Sequence, residues 1–390
     1  MSYKISNKTA RLILIDTLLL ATGASFNYFK SSPLMPSLIR EFGFSHGLGG
    51  LFSGIFGISV LVFSIPAGLF LPRLNLKRAI MLTSFLSIVG SLMVGLTNEI
   101  CLLFLGRFLE GVGMALALVI SPYLITISLT RDYAVIGMGL LMLFSPLGNI
   151  LGMTICPILL SIFGWRIAWL SGIFLFMIPI LISLKLNQTE YRISTSIASY
   201  VKCLREKNLY LLGILQLGLT FSGMGFLMWM PTYLNEMRML DIKLASFISS
   251  LFMIIGLPTP LLASLLIKRI KSRKKFLAIC FAACTILFPF STQITEPFLP
   301  LHIILLGFFA GLIPTVLNLC MSEILGPLSS IGFGLFNLLR GSSMFFGPML
   351  MGVIRDATNS WDLSFFSLSI FTAMSLVAAF LMYEPYSPSF

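Results

Sequence analysis

Six ionisable side chains stand inside apolar runs of this chain: Asp16, Lys30, Arg107, Glu110, Glu323 and Arg340. The stretch FLGRFLEGVGMA, Phe104 to Ala115, carries two of them. Arg107 and Glu110 are three residues apart, so a helix puts them on one face. Each lowers the other's cost of burial. Two readings stay open. Protonating Glu110 would release Arg107 and change helix packing, which couples a proton to a conformational change. Alternatively, the pair is fixed and holds its helix against neighbours. Arg340 sits mid-run with Asn337 three residues before it, and a cation there should point inward rather than to lipid. Asp16, near the start of its run, could bind a proton or simply reach water. The amides Asn27, Asn149, Gln216 and Asn318 could each bond a solute or a neighbouring helix. Interhelix bonds in membranes average below about 1 kcal/mol, so energy does not choose between these.

Composition names the solvent these groups must live in. Of 390 residues, 57% are hydrophobic and 10% charged, and mean hydropathy is +0.99. Soluble domains carry about 25% charged residues, so lipid is the solvent here. The net charge of +12 does not point to nucleic acid. Basic residues cluster between apolar runs, as in KRIKSRKK (Lys268 to Lys275), which is how cytoplasmic loops read. The six cysteines show no metal-ligand or disulfide spacing, and no cofactor is expected.

A spanning helix needs about 20 apolar residues. Such segments cover 11–38, 47–71, 79–97, 100–127, 134–162, 167–185, 209–231, 244–267, 276–294, 299–324, 331–353 and 363–383. The basic start MSYKISNKTAR leads into the first span rather than a cleaved signal. With that end inside, the inner loops hold 18 of the 26 Lys and Arg residues and the outer loops 5. Both termini are then expected in the cytoplasm of a multi-pass protein of the cell membrane. Trp229 and Tyr233, at the end of the seventh span, read as an interfacial aromatic belt.

The chain divides into residues 1–185, a connector at 186–208 with helical apolar spacing that suits an amphipathic surface helix, and residues 209–390. The two large parts resemble each other. A shift of 195 residues carries Gly137 and Gly139 onto Gly332 and Gly334, and Gly152 onto Gly347. Trp165 falls within one residue of Trp361. Two six-helix halves in parallel repeat belong to transporters that rock around a central site. Gly111, Gly113, Gly148 and Gly152 allow close helix approach. Pro146 and Pro348 lack an amide donor and suit bends.

Several motifs carry a family resemblance over nearly the whole chain. GRFLEGVGMA resembles the fourth-helix motif of the major facilitator superfamily, with Arg107, an acid at Glu110, and Gly111 and Gly113. SPLGNILG (Ser145 to Gly152) resembles its fifth-helix Gly-Pro motif, and FGWRIAW and SPLMPSLIREFGFS are similar to its loop before helix six and its helix-one exit. The loop after helix two departs. In GLFLPRLNLKR, Gly68, Arg73, Lys77 and Arg78 hold family positions, but Pro72 replaces the aspartate and Asn75 a glycine. The family's aspartate helps latch the cytoplasmic side; cyanate-permease-like members also tend to lack it. The resemblance implies an all-α fold of 12 membrane helices in two pseudo-two-fold halves. It also implies that helix one lines the cavity, which makes Lys30 a candidate to face substrate; snorkelling to the headgroups is the other reading.

The expected activity is secondary transport of a small solute by alternating access, coupled to protons or run as exchange, by a monomer. No Walker motif points to ATP. An enzyme would need a catalytic constellation, and His46 and His302 have no partner spacing. A sensor that lost transport is a further class. Lys30 and Arg340 come from different halves and could clamp an anion, so a small anion is the favoured cargo. Efflux of hydrophobic drugs is the alternative, given 21 Met and 35 Phe.

Overall fold

The computed structural model describes residues 7–70, 75–128, 137–185, 206–270, 272–325 and 329–383. Regular structure among them is helical throughout. The long helices are α1 (Asn7–Phe29), α2 (Ser31–Phe42), α3 (His46–Phe70), α4 (Leu76–Leu96), α5 (Ile100–Ser128), α6 (Phe144–Leu170) and α7 (Ile173–Ser183), then α8 (Lys207–Met237), α9 (Ile242–Ile254), α10 (Thr259–Ile270), α11 (Arg273–Phe290), α12 (Leu299–Leu325), α13 (Ser329–Thr358) and α14 (Trp361–Leu381). Nine stretches among the described residues are long and apolar enough to cross a membrane. The protein is an all-α, multi-pass membrane protein of twelve membrane segments.

Interruptions in the segments follow from missing donors. The first segment breaks between α1 and α2, where Pro33 lacks the amide that would bond the Phe29 carbonyl. The eighth breaks between α9 and α10, where Pro258 offers none to Ile254; the Ile254 carbonyl accepts from Leu257 instead, at 3.2 Å. In the fifth, a turn at Met142 and Leu143 stands four and three residues before Pro146, which falls in the first turn of α6. Gly164 joins the fifth and sixth segments with φ 82°, a left-handed conformation that favours glycine.

The chain forms two compact units, residues 1–43 with 55–194, and residues 44–54 with 195–390. In the first, α1 packs on α5 and α6, and α4 on α5. Lipid offers no hydrophobic drive to join helices, so small residues that let backbones close up do that work. A Cβ on Gly148 would strike Ser25 and Phe26 of α1, and one on Gly111 the Phe56 carbonyl of α3. Gly113 faces Ser87 of α4, and Gly152 the Lys30 amide. In the second unit, α8 packs on α13 and α14, and α11 on α14. Phe221 and Phe371 stack at 3.8 Å between ring centres. Large apolar side chains such as Phe85, Phe174 and Leu181 stay exposed, as a lipid-solvated surface requires.

Candidate functional site

Three charges of the first unit meet in one buried cluster. Lys30, Arg107 and Glu110 are each 0% exposed. Arg107 Nη1 donates to Glu110 Oε2 at 2.9 Å, closing the i,i+3 pair on α5. Lys30 Nζ donates to Glu110 Oε1 at 2.8 Å. The same oxygen accepts from Ser91 Oγ on α4 at 2.6 Å and from the Trp169 indole N–H on α6 at 3.1 Å. Lys30 also donates to Asn27 Oδ1 at 2.8 Å, Ser91 Oγ at 3.0 Å and the Trp169 carbonyl at 3.0 Å. Arg107 further donates to the carbonyls of Asn27 and Tyr28 and to Ser31 Oγ. Its guanidinium lies 4.6 Å from the Phe56 ring centre. The break at residue 30 therefore sits where the carbonyls of Asn27 and Tyr28 accept a buried arginine. Lys30 does not snorkel; its donors are taken by groups of this chain.

Apart from Asn27, the other predicted polar and charged residues make none of these contacts. Asp16 on α1 is 1% exposed, and neither carboxylate oxygen has a partner among the described residues. The side-chain amide of Asn149, on α6, is buried and likewise without a partner. In the second unit, Gln216 on α8 is buried, and Asn318 on α12 and Asn337 and Arg340 on α13 are half-buried. No ion pair or hydrogen bond reaches Arg340 among the described residues. Glu323 is paired instead with Arg273. Of the loop motif, Arg73 and Pro72 fall outside the described residues and Gly68 is in the last turn of α3. Lys77 and Arg78 start α4, where Asn75 Oδ1 caps the helix by accepting from the Arg78 amide at 2.9 Å. Most of the 186–208 connector also falls outside the described residues.

A third group was not visible as a site in the sequence. His46 opens α3 between two carboxylates. Its Nε2 is 3.2 Å from both Glu236 oxygens on α8, and its Nδ1 is 3.1 Å from Asp356 Oδ1 on α13. Asp356 also accepts from the amides of His46 at 3.0 Å and Gly47 at 2.7 Å. Burial works against ionisation of Asp356, beyond the predicted span, but these amides, the Ser45 hydroxyl and the His46 ring outweigh it and hold its carboxyl below the usual carboxylate range. Trp229 and Tyr233, expected in a membrane-interface belt, are buried at 0% and 4% exposure. The reason is their polar ends: Trp229 Nε1 donates to the Pro348 carbonyl at 2.8 Å and Tyr233 Oη to that of Thr292 at 2.9 Å. Spacing gave no signal for His46, because its partners are 190 and 310 residues away.

Comparison with known proteins places the fold and the family. Over 126 residues the chain is 29% identical to an uncharacterized transporter of Buchnera aphidicola subsp. Schizaphis graminum (strain Sg), covering 32% of each chain. It is 30% identical over 128 residues to one of Buchnera aphidicola subsp. Acyrthosiphon pisum (strain APS), covering 32% of this chain and 31% of that one. The match thus spans about a third of the length of these curated relatives. Among solved structures, a bacterial homologue of the human lysosomal transporter Spinster, inward-facing and unoccupied, superposes with TM-score 0.80 at 13% identity, covering 99% of this chain and all of that one. The nucleoside transporter NupG superposes with TM-score 0.77 at 15% identity, covering 95% of this chain and all of that one. At such identities the likeness is one of fold. The family model described as Major Facilitator Superfamily matches residues 17–348, most of the chain, and this protein belongs to that family of transporters.

Proposed function

We propose that the protein is a secondary transporter that carries a small anion across the membrane by alternating access. The observation that carries this reading is Arg340. A cation in the middle of a membrane helix is costly unless it has a partner, and Arg340 has none among the described residues. A transported anion supplies that partner, with Asn337 three residues before it on the same helix to add a hydrogen bond. Lys30 contributes only in a state that opens its contact with Glu110. Asn27, Asn149, Gln216 and Asn318 are the further polar groups we assign to the solute path.

Protons are the coupling ion we favour, and Asp16 is the acid we assign to it. A buried carboxylate with neither cation nor donor costs several kcal/mol; Asp16 has neither among the described residues, and the conformation that buries it so favours carrying a proton there. Arg107 and Glu110 take the conformational part, since their network ties α1, α4, α5 and α6 together. Both termini are assigned to the cytoplasm, and one chain suffices for the cycle.

The test is a thermal-shift screen of the purified protein against cyanate, nitrate, formate, small dicarboxylates and hydrophobic amine drugs. A ligand at about one hundred times its Kd stabilises the folded state by about 2.7 kcal/mol. We expect an anion to raise the melting temperature of the wild type, Arg340→Lys to retain part of that rise, and Arg340→Gln to lose it. Stabilisation by hydrophobic amines alone, unchanged in Arg340→Gln, would replace anion transport with drug efflux.

A further inference from the structure

The two units carry the same end motif with one difference. A shift of 195 residues takes Glu41 onto Glu236, and Trp165 within one residue of Trp361. Trp165 Nε1 donates to Glu41, and Trp361 Nε1 donates to Glu236 at 3.3 Å. In the first unit the next residue, Arg166, donates to Glu41 at 2.7 Å; its charge is permanent. In the second unit the residue after Trp361 is Asp362, and the group facing Glu236 is instead His46 at the start of α3, a cation only when protonated.

The His46 ring faces a carboxylate at each nitrogen. It can donate to both only as the imidazolium; the neutral ring turns a lone pair toward one of them. Its rim is aromatic, with Trp361 and Trp229 ring centres at 5.3 and 5.6 Å. Asp356 meanwhile receives the first amides of α3. Behind these bonds, Gly47, Gly50 and Gly54 lay the first turns of α3 against the α13 backbone around Phe345, Pro348 and Val353. The remaining charged groups on the packed helices are accounted for. Arg355 lies 5.6 Å from the Trp361 ring centre, Asp362 is in the first turn of α14, and Arg238 donates to the carbonyls of Thr292 and Ile294.

We propose that His46, Glu236 and Asp356 form a proton-binding latch, which holds residues 44–54 on α8 and α13 while His46 is protonated. Loss of the proton leaves Glu236 and Asp356 facing a neutral ring, and the segment is released as pH rises through the imidazole range. The latch binds a proton at a site separate from Asp16 and from the Arg107–Glu110 cluster, and it does not depend on the identity of the cargo.

Hydrogen exchange read by mass spectrometry on the full-length protein in lipid nanodiscs tests this, at about pH 6 and about pH 8.5, on either side of the usual imidazole range. Exchange times are scaled for the intrinsic pH dependence of the chemistry. We expect protection of a peptide covering residues 44–54 to fall by about tenfold at the higher pH, as for one charge-assisted hydrogen bond. His46→Arg, which copies Arg166, should stay protected at both values. His46→Gln should be unprotected at both, as should Glu236→Gln combined with Asp356→Asn. A peptide covering residues 104–115, unchanged in all variants, reports that the fold persists. Equal wild-type protection at the two pH values would overturn the latch, as would wild-type behaviour in His46→Gln.

Discussion

Glu110 accepts from two buried cations, a hydroxyl and an indole, and that crowding decides what a substitution there costs. Glu110→Gln leaves Lys30 and Arg107 facing an amide in a site with no exposure. Breaking a buried ion pair from one side typically costs about 3–5 kcal/mol, and unfolding in mild detergent should show a loss of that order. Lys30→Met removes a cation but keeps the Arg107–Glu110 pair, so its cost should be smaller. The double variant should lose less than the sum of the two, with a coupling of about 0.5–3 kcal/mol. A Lys30→Met loss larger than that of Glu110→Gln would mean that Lys30, not Glu110, is the centre of the cluster. The three-residue spacing made the Arg107–Glu110 contact legible in the sequence. Lys30 was not legible as its third member: it is 80 residues from Glu110, and no local pattern distinguishes a lysine aimed at a carboxylate from one aimed at a solute. The same holds for His46, whose partners are brought to it only by helix packing.

Helices are where sequence reading reached furthest, because a bilayer sets both their length and their polarity. The segment pattern and the acid-base pair on α5 needed only hydropathy and the helical period. The interruptions were legible only in part: of the two prolines read as bends, Pro146 follows a turn closely while Pro348 lies inside the continuous α13, and the breaks at Pro33 and Pro258 were not singled out. What hydropathy could not supply was that residues 44–54 pack with the second unit, which depends on glycines meeting across α3 and α13. Glycine positions therefore give an element-scale prediction. Gly148→Ala puts a methyl group into Ser25 and Phe26 of α1, where backbone cannot yield, and should cost about 1–3 kcal/mol as overpacking does. Gly223→Ala, on α8 with nothing within 4 Å of the new carbon, should instead stabilise by up to about 1 kcal/mol through helix propensity. Melting temperatures of the two variants must move in opposite directions; a shared sign would remove close packing as the reason for Gly148.

Across the whole molecule, two independent arguments meet on topology. In the second unit, His46, Glu236, Asp356 and Trp361 come together, so the connections after the first, seventh and eleventh segments lie on one side of the bilayer. Arg273 and Glu323 likewise pair, and they flank the connections after the eighth and tenth segments. These contacts fix which connections share a side without using charge at all. Which side is the cytoplasm is then a proposal that rests on the excess of Lys and Arg in the other set. On that proposal we expect alkaline phosphatase fused after Arg238 to be active, as an outward-facing connection requires, and a fusion after Lys271 to be inactive. A fluorescent protein that matures only in the cytoplasm should light up at either terminus. Because the pairings tie the connections together, these reporters must succeed or fail as a set. A uniform reversal would discard the charge argument and keep the fold, whereas a mixed result would contradict the contacts themselves.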